Sequence, residues 1–308
     1  MARCLVIGGN GFLGSHVVDA LAADGHEVSV FDRFGFPVQF TAQAAAIVGD
    51  FLDREALAAA LAGQEHVFHF LSSTTPASAE DDPTTDVRTN LAGSVDLFTL
   101  AADAGVARLY FASTGGSIYG DQAVESFSED VTPLPVSPYA IGKLAIEGYL
   151  RYFGVKRGLE SVSFRISNPY GPRQHAHRKQ GVIPIFLQRI AEGRPITVFG
   201  DGSMVRDYVF VEDVAAMVVA TAGRSPQHPV YNVGSGTGTT IAELLELARS
   251  VTGREFEVAY EPQPVTFVNR SVLDVSRFVG EFGVRPTVSL REGMESTWRD
   301  TLRQVGDA

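Results

Sequence analysis

A glycine-rich turn near the start of the chain is the feature that most restricts the fold. The segment Leu5-Val-Ile-Gly8-Gly-Asn-Gly11-Phe-Leu-Gly14 joins an apolar run to the beginning of a helical pattern. Glycines at this spacing permit a tight turn and let a pyrophosphate approach the N-terminus of the helix. A second apolar run ends in Asp32, 18 positions after Gly14, where a carboxylate can accept the hydroxyls of a ribose. The pattern predicts a dinucleotide-binding βαβ unit.

The acidic residue also bears on which dinucleotide binds. A carboxylate at Asp32 repels a 2′-phosphate, so we expect NAD rather than NADP. Arg33 stands beside it and could weaken that preference. We interpret Arg33 mainly as a solvated loop charge.

Apolar runs and helical patterns alternate over the first two-thirds of the chain. Such alternation predicts an α/β fold with a doubly wound parallel sheet. Predicted strands are Arg3–Gly8, Glu27–Asp32, Ala45–Asp50, His66–Leu71, Arg108–Ser113 and Ser161–Ile166. Predicted helices are Phe12–Asp24, Asp53–Ala62, Asp86–Ala104 and Pro138–Lys156. After about Gly171 the elements become shorter, which predicts a smaller mixed α/β domain over 171–308, with some segments crossing back to the domain 1–170.

The composition excludes several classes of function. The 308 residues carry a formal net charge of −11, which disfavours binding to nucleic acid or to anionic membranes. The single cysteine, Cys4, cannot form an internal disulfide, and no long apolar run is present, so we expect a cytoplasmic protein. The histidines form no metal-ligand pattern; His175, His177 and Lys179 are interpreted as a solvated loop, with a cationic substrate contact as the alternative.

Tyr139 and Lys143 stand four residues apart at the start of a predicted helix. This spacing places the phenol and the ammonium group on one face. A nearby ammonium and a cationic nicotinamide both favour the phenolate, which predicts a lowered pKa for Tyr139 and a role as general base.

Several segments resemble a known family in the order expected. The turn Gly8–Gly14, Asp32, Asp50, Asn90, the segment Ser113-Thr-Gly-Gly-Ser-Ile-Tyr-Gly120 and the Tyr139/Lys143 pair are similar to the extended short-chain dehydrogenase/reductases. Arg165-Ile-Ser-Asn-Pro-Tyr-Gly-Pro-Arg173 and Gly200-Asp-Gly-Ser-Met-Val-Arg206 resemble the nucleotide-sugar epimerase/dehydratase branch. The resemblance implies a Rossmann-type NAD-binding domain, a nucleotide-sugar-binding domain and a UDP-sugar substrate.

The resemblance also implies residue roles. Cofactor contacts are expected from Gly8, Gly11, Phe12, Leu13, Gly14, Asp32, Arg33, Asp50, Phe51, Leu71, Asn90, Tyr139, Lys143, Ile166 and Ser167. Among these, Asp50 and Phe51 would flank the adenine. Substrate contacts are expected from Ser113, Gly115, Gly116, Ser117, Asn168, Arg173, Val182, Thr197, Phe199, Arg206, Arg270 and Ser271.

One departure from the family pattern concerns the third catalytic residue. Gly115 occupies the position where a serine or threonine is usual, so Thr114 or Ser117 would reach the sugar hydroxyl, and we favour Thr114. Dehydratases and decarboxylases of the branch carry acidic residues in this loop, whereas Gly115 and Gly116 have no side chain that moves protons. The resemblance therefore favours 4-epimerisation, with a nucleotide-sugar 4-ketoreductase, dehydrogenase or dehydratase as the alternative and a non-catalytic NAD-binding sensor as a remote one.

Two further expectations rest on the resemblance. The helices Asp86–Ala104 and Pro138–Lys156 match the pair that forms a dimer interface in the family, which implies a homodimer. Ser271 aligns with a residue that gates the sugar pocket, and a small residue there would admit N-acetylated sugars. The particular UDP-sugar stays open between glucose, N-acetylhexosamine and uronate.

Overall fold

The computed structural model describes residues 1–174 and 181–306. The chain divides into two compact units whose segments alternate along the sequence. Unit 1 comprises Met1–Thr114, Ser137–Arg165 and Ala215–Tyr231, and unit 2 comprises Gly115–Val136, Ile166–Val214 and Asn232–Ala308. The expected loop contact from His175, His177 and Lys179 lies outside the described residues.

Strands and helices alternate through most of the described chain. The strands are β1 (Arg3–Ile7), β2 (Glu27–Asp32), β3 (Ala45–Val48), β4 (His66–His69), β5 (Arg108–Thr114), β6 (Glu160–Ile166), β7 (Asn168–Tyr170), β8 (Ile196–Phe199), β9 (Val205–Phe210), β10 (Val230–Val233), β11 (Gly238–Thr240), β12 (Val258–Glu261) and β13 (Arg270–Ser271). The helices are α1 (Phe12–Ala23), α2 (Arg54–Leu61), α3 (Pro76–Asp81), α4 (Pro83–Asp86), α5 (Ala92–Asp103), α6 (Pro138–Arg157), α7 (Val182–Ala191), α8 (Val211–Val219), α9 (Ile241–Thr252), α10 (Ser276–Phe282) and α11 (Leu290–Gly306).

Seven of the described strands form one sheet in the order β3-β2-β1-β4-β5-β6-β10. The pairs β1–β2, β2–β3, β1–β4 and β4–β5 are all parallel. Strands β1, β2 and β3 follow one another towards one edge of the sheet, and β4, β5 and β6 follow one another towards the other edge. The direction in which successive strands are added therefore reverses between β1 and β4. Ligands of open α/β sheets bind at such a switch point, beyond the carboxyl ends of the strands. The predicted α/β fold with a Rossmann-type sheet is confirmed.

The central strands of this sheet are largely buried, whereas the edge strand β3 is mostly exposed. Leu5 and Ile7 of β1, Phe31 of β2 and Phe111 of β5 are fully buried in one core cluster of unit 1. Parallel strands that are buried on both faces carry near-continuous apolar runs, which is why the sequence located them well. Unit 2 has a separate core, which includes the fully buried Ile196 of β8 and Leu244 of α9.

The structure departs from the predicted elements in two respects. The predicted helix Asp86–Ala104 is divided, because a π-helical turn at Val87–Leu91 lies between α4 and α5. Short strands that exist only through pairing with β9, namely β7, β11 and β13, were not predicted, and neither were the helices α3, α10 and α11. None of the described helices is long and apolar enough to cross a membrane.

Candidate active site

The glycine-rich turn after β1 forms a cradle that excludes side chains. Gly8 has a φ of +78°, and a Cβ added to it would lie 2.7 Å from the Cα of Leu71. A Cβ on Gly14 would overlap the carbonyl oxygen of Gly8. Gly11 is the N-cap of α1 and offers no side-chain hydrogen bond to the first turn. The N–H groups at the start of α1 are therefore available to an anionic group such as a pyrophosphate.

Asp32 lies at the end of β2 beside this cradle. Its Oδ2 accepts the amide N–H of Asn10 at 3.1 Å, and its Oδ1 accepts that of Phe34 at 3.3 Å. The carboxylate is thus fixed against the glycine turn, where it can accept ribose hydroxyls. Arg33 is exposed, in agreement with its interpretation as a solvated charge. The cradle, the start of α1 and Asp32 together fit the cofactor NAD.

The other residues expected at the cofactor differ in their surroundings. Phe12 and Leu13 in the first turn of α1 are half-buried, as is Leu71, and Asp50 is exposed. The ring of Phe51 is buried and stacks on His69 with 5.2 Å between ring centroids. Since the Phe51 side chain belongs to the core, a contact with adenine would fall to its backbone.

Tyr139 and Lys143 lie on one face of α6, as their spacing predicts. The helix begins with Ser137 as N-cap, whose Oγ accepts the amide N–H of Ala140 at 3.4 Å. Lys143 is buried; its Nζ donates to the carbonyl oxygen of Ala112 at 2.9 Å and lies 5.6 Å from the centroid of the Tyr139 ring. The lysine is therefore anchored on β5 next to the phenol.

The prediction of a lowered Tyr139 pKa is not what the chain itself produces. Burial, together with the negative charge of Asp86, raises the pKa of Tyr139. Burial lowers the pKa of Lys143 to about 8, although Asp86 and Glu147 favour its charged form. A lowering of the Tyr139 pKa has to come from a cation that the protein does not supply, and a cationic nicotinamide is such a group.

The end of β5 presents two neighbouring hydroxyl groups in different ways. Ser113 donates to Oε1 of Glu147 at 2.5 Å, and Glu147 forms an ion pair with Arg165 at 2.8 Å. Both charged side chains are buried, so Ser113 belongs to a closed internal network. Successive residues of a strand point to opposite faces, which directs Thr114 away from this network.

Asn90 lies in the π-helical turn and joins three segments of unit 1. Its Oδ1 accepts the amide N–H of Ser73 at 2.9 Å, and its Nδ2 donates to Thr74 Oγ1 at 2.7 Å and to Asp86 Oδ1 at 2.8 Å. The amide thus organises the region before α5 and fits the supporting role that the resemblance implies.

Four of the expected substrate residues come together within unit 2. Ser271 is buried and donates from Oγ to the carbonyl oxygen of Gly115 at 3.3 Å. A Cβ on Gly116 would lie 3.3 Å from Oδ1 of Asn168, whose Nδ2 donates to the carbonyl oxygen of Asp207 at 3.0 Å. The glycine loop, the start of β7 and β13 therefore form one neighbourhood.

Asp207 holds this neighbourhood together, and it was not predicted from the sequence. Its buried carboxylate accepts Ser235 Oγ at 2.6 Å and the amide N–H groups of Ser235, Gly236 and Leu273. Burial raises the pKa of Asp207 against the effect of these hydrogen bonds. Nearby, Ile166 and Ser167 are both buried. The buried Ser167 Oγ has no hydrogen-bond partner among the described residues.

The remaining expected substrate residues lie on other parts of unit 2. Thr197 and Phe199 lie on β8, and the Phe199 ring meets Phe267 edge-on at 5.8 Å. Arg206 is held by backbone carbonyls, with the shortest bond, 2.7 Å, to Val268. Val182 is the first residue of α7, and Ser117 is half-buried. Arg173 donates its amide N–H to Asp300, and Arg270 donates from Nε to the carbonyl oxygen of Glu125.

Comparison with known proteins decides the family. The model of the NAD dependent epimerase/dehydratase family matches residues 4–234. The chain belongs to this family. It is 36% identical over 303 residues to the UDP-glucose 4-epimerase of Mycolicibacterium smegmatis, covering 96% of this chain and 97% of the relative.

Solved structures of family members are closely similar. The UDP-glucose 4-epimerase of Thermotoga maritima with UDP-glucose has a TM-score of 0.92 and 35% identity, covering 98% of this chain and 99% of that one. The UDP-glucose 4-epimerase of Thermus thermophilus in complex with NAD has a TM-score of 0.90 and 36% identity, covering 97% and 98%. The predicted resemblance, the NAD cofactor and the NAD-dependent epimerase class are confirmed.

Three carboxylates near the predicted site residues were not predicted from the sequence. Asp86, Glu147 and Asp207 are buried or nearly buried carboxylates next to predicted site residues. No group of three His, Cys, Asp or Glu side chains in residues 1–174 and 181–306 is placed to hold a metal ion. A signal for Asp86 existed in the sequence, since it precedes Asn90 by four positions, a spacing that places both on one helical face.

Proposed function

We propose that this protein catalyses the NAD-dependent 4-epimerisation of a UDP-sugar through a transient 4-keto intermediate. The relatives at 35% and 36% identity are UDP-glucose 4-epimerases, and one of them was solved with UDP-glucose and another with NAD. These likenesses supply the substrate class.

The observation that carries the proposal is the buried Lys143 beside Tyr139, together with the two glycines of the active-site loop. Tyr139 offers a phenol for one proton, and Lys143 places a positive charge 5.6 Å from its ring centroid. Gly115 and Gly116 carry no acid or base for a dehydration or a decarboxylation. A reversible oxidation at C4 needs one proton acceptor and one hydride acceptor, which Tyr139 and bound NAD⁺ would provide.

The proposed cycle requires little of the protein beyond proton transfer and anchoring. NAD⁺, which the glycine turn Gly8–Gly14 and Asp32 would hold, would supply the hydride acceptor for C4 and return the hydride. Tyr139 takes the proton of the 4-hydroxyl at its phenolate oxygen, and Thr114 donates a hydrogen bond to the sugar oxygen. After the keto sugar has turned, Tyr139 returns the proton to the same oxygen, while hydride arrives on the opposite face. Over one turnover, the enzyme neither gains nor loses a proton or a hydride.

Unit 2 is proposed to hold the nucleotide so that the sugar alone can turn. Asn168 and Arg206 would contact the diphosphate, because amide N–H groups and a guanidinium match phosphate oxygens. Thr197 and Phe199 would contact the uracil, and the partly exposed ring of Phe199 could stack on the base. Gly115, Gly116 and Ser271 would surround the sugar, leaving space that larger side chains would fill.

We further propose that the protein is a homodimer in which α6 contributes the interface. Ile141, Tyr149, Tyr152 and Val155 are exposed and lie on one face of α6, which a monomeric surface rarely tolerates. Ile146, by contrast, belongs to the core of unit 1. Light scattering should give twice the chain mass of 33.1 kDa, and Tyr152→Glu should shift it towards one chain mass. A single-chain mass for the unaltered protein would refute this proposal.

The catalytic proposal is tested by NMR of UDP-glucose, UDP-N-acetylglucosamine and UDP-glucuronate, each incubated separately with the protein. Inversion at C4 of at least one sugar, without net change in NADH absorbance, is the expected result. Net formation or consumption of NADH would identify a dehydrogenase or ketoreductase instead. A product that has lost water or carbon dioxide would identify one of the other reactions of the family.

A further inference from the structure

A buried carboxylate lies next to the Tyr139–Lys143 pair and has no part in the cycle above. Asp86 is 3% exposed and ends α4. Its Oδ1 accepts Thr74 Oγ1 at 2.5 Å and Asn90 Nδ2 at 2.8 Å. Two donors from separate segments therefore fix this oxygen, so the carboxylate has one position.

The second oxygen of Asp86 lies against α6 at Gly142. A Cβ added to Gly142 would overlap Oδ2 of Asp86, so the close approach of the carboxylate requires glycine there. Gly142 follows Tyr139 by three positions and immediately precedes Lys143. The carboxylate thus meets the same helical turn that carries both groups.

The charges around this turn show what the carboxylate can do. The groups that influence Lys143 are Asp86 and Glu147, and both favour its ammonium form against burial. Glu147 already pairs with Arg165. His69 packs nearby on β4, where burial lowers its pKa to about 3 and keeps it neutral. Asp86 therefore acts as a counter-charge to Lys143.

We propose that Asp86 is a positioning residue that keeps Lys143 protonated and keeps the proton on the Tyr139 phenol whenever no further cation is present. This inference rests on the proposed function. Within unit 1, Asp86⁻ offsets Lys143⁺, so ionisation of Tyr139 depends on a positive charge brought by the oxidised cofactor. The reduced cofactor would no longer supply that charge, so Tyr139 would retain the proton it has accepted from the sugar. The proton is then still in place when the hydride returns.

The test uses the lysine directly. The chain contains three lysines, Lys143, Lys156 and Lys179, so a [¹³C]lysine-labelled sample gives few Cε signals, and Lys143→Arg assigns the relevant one. In Asp86→Asn, the titration midpoint of Lys143 should fall by about one pH unit or more, since a nearby opposite charge shifts a pKa by about 1–3 units. The alkaline limb of the activity profile should move in the same direction.

Two helix variants provide the matched comparison. Gly142→Ala should displace the carboxylate and lower the Lys143 midpoint, whereas Gly154→Ala on the same helix meets only an ordinary 3.5 Å contact with Leu159 and should leave it unchanged. An unchanged Lys143 midpoint in Asp86→Asn, in protein whose circular dichroism matches the wild type, would overturn the proposal. Because the titration needs no turnover, it reports on Asp86 even if no UDP-sugar is epimerised, and the two proposals can fail separately.

Discussion

The two hydroxyl groups at the end of β5 allow the third catalytic role to be assigned by substitution. Ser113→Ala removes a 2.5 Å hydrogen bond to Glu147, and hydrogen bonds to charged groups contribute about 1.5–3 kcal/mol to stability. Glu147 keeps its ion pair with Arg165, so no charge is left uncompensated. We therefore expect the free energy of unfolding to fall by about 1.5 kcal/mol, the lower end of that range, and turnover to stay close to wild type.

Thr114→Val has the opposite expected outcome. Valine keeps the shape of threonine and puts a methyl group in place of the hydroxyl, so the variant removes the hydrogen-bond donor without opening a cavity. If Thr114 donates to the sugar oxygen, kcat should fall by about 10²-fold, as when one donor to a developing oxyanion is lost. The free energy of unfolding of both variants would be measured by urea unfolding. Their kcat would be measured at a temperature well below the midpoint of thermal unfolding. Ser117→Ala would be included as the third hydroxyl variant. A large loss of turnover in Ser113→Ala, with Thr114→Val fully active, would refute this reasoning.

Three further predictions concern the proposed reaction. Tyr139→Phe should lower kcat by about 10²–10⁴-fold while NAD remains bound, measured as cofactor released on denaturation; more than about a tenth of the wild-type rate would exclude Tyr139 as the base. Activity should decline as pH rises through about 8, because the Lys143 ammonium loses its proton there, and Lys143→Arg, if active, should lack this decline in a kcat profile. Ser271→Tyr should suppress turnover of an N-acetylated UDP-sugar more than that of the plain hexose, by about 1–3 kcal/mol in relative kcat/KM, and equal losses would show that Ser271 does not line the pocket.

The parts of the site that could be predicted are those whose residues lie close together in the sequence. Gly8, Gly11 and Gly14 lie within seven consecutive positions between a strand and a helix, so their roles follow from that context alone. Tyr139 and Lys143 occupy consecutive turns of one helix, and helix geometry dictates their shared face. The buried parallel strands were equally accessible, because their apolar runs do not depend on distant residues.

The residues that were missed are polar groups whose partners are remote in sequence. Glu147 meets Ser113 across 34 positions, and Asp207 meets Ser235 across 28. Periodicity carries no information about such pairs. The only local sign of such a carboxylate is a glycine where a larger residue would clash with it. A Cβ on Gly234 would lie 2.5 Å from Oδ2 of Asp207, and a Cβ on Gly142 would overlap Asp86. The raised pKa of Tyr139 is caused mainly by its burial, and the charge of Asp86, 53 positions earlier in the sequence, adds to it.

The alternation of the two units along the chain has a consequence for synthesis on the ribosome. Unit 1 needs residues 215–231, in which Pro229 accepts the amide N–H of Ser163 and Thr221 accepts the hydroxyl of Tyr110. Until this segment emerges, β6 is an unpaired edge of a parallel sheet, and such edges template association with other chains. A nascent chain is thus exposed to aggregation until most of its length has been made. A fragment ending at residue 214 should precipitate. A fragment that also contains 215–231 includes the start of β10, which pairs with β6, and should precipitate less.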